Sequence, residues 1–245
     1  MNKIEVAVIN EASYRPGDIM MFLAKLTQRG HKIKDMHSLW DLYTKSGYSE
    51  DILMNVSKLP HGTIKRFTPI TIAVVGASRR FLAQARTHQV GMDFVSASLQ
   101  YSDYSGKADF VVPYGLTEEQ KESYMEACTY ALREYEKMIE NGIDRDSAGY
   151  VMPQGLRNIL IIQANHQAWE NFIRTRVCRR NTPETQYVTL LIWEALLATS
   201  EGTALFSHLG ADCLQVGGCR EGGFSCGKPL STNNPTILRK ELFPW

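Results

Sequence analysis

The stretch from Ser78 to Tyr101, SRRFLAQARTHQVGMDFVSASLQY, constrains the rest of the chain more than any other. It opens as a helix carrying Arg79, Arg80 and Arg86 and reaches His88, passes Gly91, and then alternates as Phe94, Ser96, Ser98 and Gln100 along one side of an extended segment. A core helix would place Leu or Val where Gln84, Thr87, His88 and Gln89 stand. Polar groups at this density describe a surface built to hold something anionic and planar.

That anion site has to be local, because the net charge of +1 gives no global field for nucleic acid or a membrane surface. With 245 residues, 44% hydrophobic and 22% charged, the chain is long enough to bury a core and ordinary for a globular protein. No apolar run approaches the roughly 20 residues of a membrane span, and the opening MNKIEVAVINEASY lacks the apolar centre of a secretory signal. The expected location is cytoplasmic, with neither nucleic acid nor membrane as a partner.

Strands and helices alternate around the polar stretch. Lys3 to Ile9 alternates as a strand, Phe67 to Val75 is a β-branched run suited to a buried strand, and Gly155 to Ala164 holds the apolar Ile159-Leu160-Ile161-Ile162. Helices are expected from Met20 to a stop at Gly30, over His37 to Lys45, and over Ser49 to Val56. A long helix from Thr117 to Asn141 has a capping sequence at Thr117 and Gln120, and an apolar stripe that includes Cys128, which reads as a packed thiol. Thr182-Pro183-Glu184 starts another that runs to about Ser200, with a shorter one over Ala204 to Leu209. The fold class is α/β (α+β), with one domain over residues 1–210 and a cysteine-containing tail over residues 211–245.

On a helix from Asn165 to Arg176, the side chains of Asn165, Trp169, Phe172 and Arg176 fall in one narrow sector. An aromatic stripe at that spacing is plain core as readily as a binding face; the amide and guanidinium at its two ends favour the second reading.

These two stretches resemble flavin-dependent thymidylate synthases, whose signature is R-H-R-x-x-S-x-N-E-x-S-x-R-Y. Ser78, Arg79, Gln84, His88, Gly91, Phe94, Ser98 and Tyr101 match a divergent branch with a longer spacer, and Asn165, Asn171, Phe172 and Arg176 match N-x-x-x-x-x-N-F-x-x-x-R. His61 and Thr63 stand near the family's His-x-Thr, and Gln186 near the glutamine of its A-Q-x-E. The chain departs from the pattern at Thr87 and Gln89, in place of the arginines flanking the histidine, at Gln100, in place of the arginine before the tyrosine, and at Gly149, in place of a phosphate arginine.

The resemblance implies a central, mostly antiparallel sheet flanked by helices and a homotetramer with sites shared between subunits. It implies FAD as cofactor and transfer of a one-carbon unit from methylenetetrahydrofolate to carbon 5 of deoxyuridylate (dUMP), with NADPH as co-substrate. His61, Thr63, Thr87, His88, Gln89, Asn165 and Asn171 would border the flavin. Gln84, Ser96, Ser98, Gln100 and Arg176 would border the nucleotide, with Ser98 and His88 as the catalytic pair and no metal in the site. Arg79, Arg80 and Arg86 either replace part of the lost phosphate charge or are solvated helix arginines. A relative acting on another pyrimidine nucleotide such as UMP, or a non-catalytic descendant, remains open.

Cys213, Cys219 and Cys226 lie close together in sequence among glycines, and Cys178 follows Arg176. In a reducing compartment they read as free thiols or a tetrahedral zinc site, although the spacings are not short C-x-x-C pairs.

Overall fold

The computed structural model describes residues 3–10, 15–45, 47–215 and 218–244. Its centre is a four-stranded sheet: β1 (Glu5–Val8), β2 (Pro69–Ser78), β3 (Met92–Ser96) and β4 (Arg157–Asn165). The order is β1-β2-β4-β3 and every ladder is antiparallel, so the expected sheet is observed. The β2–β4 pair runs from Pro69 opposite Asn165 to Ser78 opposite Arg157, with a bulge between Val75 and Ala77. Gly76 supplies it at φ +87°, where a Cβ would stand 2.6 Å from the Lys3 carbonyl oxygen.

Alternation decides which face is covered. Ile70, Ile72, Val74, Leu160, Ile162 and Ala164 point into the core. They meet α8 (His166–Arg176) and α9 (Pro183–Leu197), whose Trp169, Phe172, Val188, Ile192 and Trp193 are fully buried. The α9 helix is apolar almost all round and is enclosed accordingly. On the opposite face Val75 pairs with Ile159, and Ala73 and Val95 each pair with Ile161. There Val95 is 69% and Ile159 51% exposed, so a contiguous apolar surface is open to solvent.

The expected helices are present. α1 (Pro16–Arg29) ends at Gly30, α2 (Met36–Thr44) starts from an Asp35 capping box, and α3 (Glu50–Lys58) is capped by Ser49. A short α4 (Gly62–Lys65) leads into β2. The long α6 (Glu118–Glu140) begins at the Thr117–Gln120 capping box and buries Cys128 and Tyr135 in a second, smaller core with Phe110, Ala148, Met152 and Leu156. Between these lie α5 (Arg79–Ala85) before it and α7 (Arg145–Ala148) after it, the latter passing into a 3-10 turn over Gly149–Val151. The α9 helix stops at Leu197 rather than Ser200, and α10 (Gly202–Phe206) follows. No helix among the described residues is long and apolar enough to cross a membrane.

The chain beyond residue 210 is more closely tied to the domain than an appendage. α11 (Asp212–Gln215) precedes a loop-rich stretch, and α12 (Pro235–Leu242) lies on α9, where Arg239 meets Glu194 at 2.9 Å. Leu230, Leu238 and Phe243 belong to the main core. Leu238→Ala should therefore lower the stability of the whole domain by about 2–5 kcal/mol. Urea unfolding followed by tryptophan fluorescence reads this out, because Trp193 and Trp169 sit in the same core; an unchanged main transition would show a separate tail.

Candidate active site

Both central strands pass directly into helices, and a cap fixes each junction. At the end of β2 the Ser78 hydroxyl oxygen accepts from the Phe81 N–H at 3.1 Å, starting α5, while the Ser78 N–H donates to Glu184 at 2.7 Å. Burial raises the Glu184 carboxyl above its ordinary range, and the Ser78 bonds oppose that rise. At the end of β4 the Asn165 side-chain oxygen accepts from the Ala168 N–H at 2.9 Å, starting α8.

Because the strands are antiparallel, α8 runs back toward the end of α5, and the two meet along the 84–91 segment. Gly91, at φ +73°, lies against the Asn165 amide, where a Cβ would stand 2.6 Å from Nδ2. The His88 ring packs edge-on against Phe172 with centroids 5.0 Å apart, and Phe172 in turn against Trp169. Thus Trp169 and Phe172 are core, as the plain reading of the aromatic stripe requires, while its two polar ends reach the polar 84–91 segment.

Arg176 organises the far end. Its Nε donates to His88 Nε2 at 2.8 Å, Nη2 to Thr87 Oγ1 at 2.6 Å and to the Gln84 carbonyl at 3.2 Å, and Nη1 to Asn181 Oδ1 at 2.9 Å. All four acceptors are uncharged, so the cation is held without a neutralising carboxylate. Burial lowers the guanidinium pKa, but it stays charged. His88 is pushed down to about 4, first by burial and then by the Arg176 charge. Its Nε2 accepts, so the neutral ring carries its proton on Nδ1.

A groove of about 580 Å³ lies beside this cluster. Ser96, Ser98 and Gln100 line it with Arg79 and Arg86, and Gly149 closes its far wall against Leu99. The buried Arg79 Nη1 has no hydrogen-bond partner among the described residues, while Arg86 donates to Ser96 at 3.3 Å. Ser98 accepts from the Gln100 N–H at 3.1 Å. Asp146 is the carboxylate in the lining. Arg80 turns away to a different hollow with Tyr114 and Tyr124.

The expected residues therefore fall into two adjoining groups. Thr87, His88, Asn165 and Arg176 are drawn together along α8. Ser96, Ser98 and Gln100 share the groove. Arg176, expected beside the nucleotide, stands with Thr87 and His88, and the Gln84 side-chain oxygen is taken up by Thr182 at 3.1 Å and by Thr185. Asn171 is exposed on α8 and accepts from Arg174. His61 and Thr63 are exposed at the start of α4, where Gly62 packs on Gln167 in the first turn of α8. Gln89 is exposed beside His88. Gln186 is buried and donates to the Val177 carbonyl at 2.7 Å, a structural tie. Asn181, Thr182 and Thr185 had drawn no attention in the sequence except as a helix start, which explains Thr182 but not its reach to Gln84.

The sequence profile described as thymidylate synthase complementing protein matches residues 9–199. The chain belongs to that family. Curated relatives include flavin-dependent thymidylate synthases from Geobacter sulfurreducens, 26% identical over 72% of this chain and 75% of the relative, and from Pyrococcus abyssi, 21% identical over 75% and 81%. Two solved structures share its fold at a TM-score of 0.63. One is thymidylate synthase X from Helicobacter pylori with FAD and dUMP, 19% identical and covering 87% of this chain and all of that one. The other is a UMP/dUMP methylase from Streptomyces cacaoi bound with 5-Br dUMP, 18% identical over 86% and 97%.

A depressed His88 pKa has a signed consequence for this family member. Between the ordinary value of 6.5 and about 4, the unfolded chain takes up a proton that the folded site refuses. The contribution is intact above pH 6.5 and stability falls as pH drops through that window; His166 and His208, also lowered to about 4 by burial, act in the same direction. NMR titration should place the His88 midpoint near 4, and Arg176→Gln should raise it.

Proposed function

We propose that this chain is a flavin-dependent enzyme that transfers a one-carbon unit from methylenetetrahydrofolate to carbon 5 of deoxyuridylate. The observation that carries the reading is a pair of guanidinium groups with no carboxylate partner among the described residues, Arg79 at the start of α5 and Arg176 at its C-terminal end, beside hydroxyl and amide side chains. Family membership supplies the chemistry that such a site serves.

The residues fit a flavin and a nucleotide. Thr87, Gln89, His61, Thr63, Asn165 and Asn171 present hydrogen-bond donors and acceptors, which is what the edge of an isoalloxazine ring requires. The unpartnered Arg79 Nη1 and the Arg86 guanidinium are what a phosphate requires. Reduced by NADPH, FAD supplies the electron-rich centre for the one-carbon transfer and the hydride that completes the methyl group. The chain's own part is placement. Arg176 holds Thr87 and His88 in fixed orientation, His88 stays neutral so that it adds no competing charge, and Ser98 and Ser96 offer hydroxyls to the pyrimidine side of the groove.

A cysteine attacking carbon 6 is the other way to activate a uracil ring. No cysteine is among the residues lining the groove, Cys128 lies in the second core, and Cys178 faces a different cavity. This supports the flavin route.

Gln100 and Gly149 favour a second reading, in which the substrate is another pyrimidine nucleotide such as uridylate. They stand where the family resemblance would place arginines, and Gly149 leaves room that Leu99 occupies. The open sheet face of Val75, Val95, Ile159 and Ile161 supports an assembly that covers it, in keeping with a homotetramer whose subunits share sites.

Purified protein supplied with FAD should be yellow, bleach with NADPH, and regain colour on adding methylenetetrahydrofolate with dUMP or UMP. Protein that takes up no flavin would sink the reading. Arg79→Ala should raise the KM for the nucleotide about ten- to a hundredfold, the worth of one charge-assisted hydrogen bond, with flavin content unchanged. Light scattering should give the mass of a tetramer; a monomer would rule out shared sites.

A further inference from the structure

Four of the five cysteines, Cys178, Cys213, Cys219 and Cys226, line one cavity of about 570 Å³ between the C-terminal end of α8 and the stretch after α11. All are free thiols, and the fifth, Cys128, is packed away in the second core. Cys213, Cys219 and Cys226 are near one another in sequence, and the fold brings Cys178, from before α9, to the same cavity.

The chain around them lacks the means to hold itself. From Gly218 to Pro229 its residues are almost all exposed or half-buried, with one 3-10 turn at Gly222–Phe224. Leu230 is the nearest side chain of that stretch to join the core. A loop-rich segment with so little apolar burial is ordinarily stapled, by disulfide or by metal.

The donor set points to metal. The Arg180 backbone amide acts on the Cys178 sulfur in the direction that favours the thiolate, and Gly227 directly after Cys226 takes φ +67°, a turn in which its own N–H donates to the Ser225 hydroxyl. Amides aimed at sulfur favour thiolate over thiol, as around metal-bound cysteines. Arg180 and Lys228 rim the same cavity with Arg174 and Arg220, which pair with Asp212 in the lining, so basic groups outnumber carboxylates around it. Burial, opposed by the Arg180 amide and reinforced by Cys226, Cys213 and Cys219, raises the Cys178 thiol above its ordinary value.

The sulfurs ring the cavity without closing on a point: among the described residues no three His, Cys, Asp or Glu side chains form a ready metal-holding group. The Cys226 thiol donates instead to the Lys228 carbonyl at 3.4 Å. Closure needs Cys219 and Cys226 to swing inward, and Gly218, Gly222, Gly223 and Gly227 around them meet no crowding that would resist it.

We propose that Cys178, Cys213, Cys219 and Cys226 bind one thiophilic divalent cation of the zinc class in a closed, tetrahedral, structural site. Each thiol releases its proton to solvent and forms one sulfur–metal bond, leaving a doubly anionic centre beside the rim of basic side chains. No electrons are exchanged. Since Cys178 lies two residues beyond Arg176, the same clamp pins the end of α8 from which Arg176 reaches Thr87 and His88. The proposal is independent of the flavin and of the nucleotide.

The test uses full-length protein, reduced, stripped with a chelator and titrated with Co²⁺ without oxygen. Tetrahedral cobalt–thiolate absorption that saturates at about one ion per chain, and that zinc abolishes, is the expected result. Zinc should also shield the four cavity thiols from a thiol reagent. Cys226→Ser should bind cobalt at least about tenfold more weakly. Octahedral cobalt alone, the four cavity thiols reacting as freely with zinc as without it, or a mass showing disulfides in the protein as purified would each overturn the site; these readouts on the unaltered protein stand even where the variant fails to fold.

Discussion

The two loopless junctions between strand and helix, at Ser78 and Asn165, set nearly everything else in place. Each cap spends a side-chain oxygen on the first free N–H groups of its helix, so neither α5 nor α8 can slide along its axis without breaking that bond. The β2–β4 register then fixes the separation of the two helix starts, and the bulge at Gly76 sets the direction in which β2 delivers α5. From there Arg176 has little choice of neighbours. Its contacts with Gln84, Thr87 and His88, separated from it by about ninety residues of sequence, follow from a ladder in the middle of the sheet.

Charge placement at the site follows the same logic of constraint. A half-buried guanidinium bonded only to neutral acceptors keeps its field, and the neighbouring imidazole responds by shedding its proton. Such an arrangement is costly in isolation and becomes reasonable when an anionic partner shares the space. The unpartnered nitrogen of Arg79 in the adjoining groove repeats that pattern. The family's one-carbon chemistry needs this kind of static, preorganised surface more than it needs a nucleophile from the chain.

Local physics made most of the fold legible from the residues. The capping box at Thr117 and Gln120, Pro183 in the first turn of α9, and the β-branched, apolar runs of β2 and β4 each act over a few residues and leave their mark in a short window. The ends of elements were less legible: α9 stops before Ser200 because the chain turns at Leu197 to pack Gly202 tightly beneath it. The tail was misjudged because Leu230, Leu238 and Phe243 are spaced too widely to show a pattern, and only the docking of α12 on α9 reveals them as core. Within the site, residue types were readable but partners were not. Gln84 looks from sequence like a ligand contact, yet its side chain is engaged by Thr182 and Thr185, a pairing across roughly a hundred residues that no local window contains.

Gly149 carries a consequence for how such a groove changes over time. An added Cβ there would stand 3.1 Å from the Leu99 Cβ, so any larger side chain forces Leu99 aside first. Leu99 is flanked by Ser98 and Gln100, both on the groove wall, and moving it disturbs them together. A larger side chain at that position therefore asks the Leu99 side chain to give by a few tenths of an ångström, and the groove wall moves with it. Neighbouring lineages can be separated by such a coupling, each held to its own ligand by the order in which its substitutions arrived.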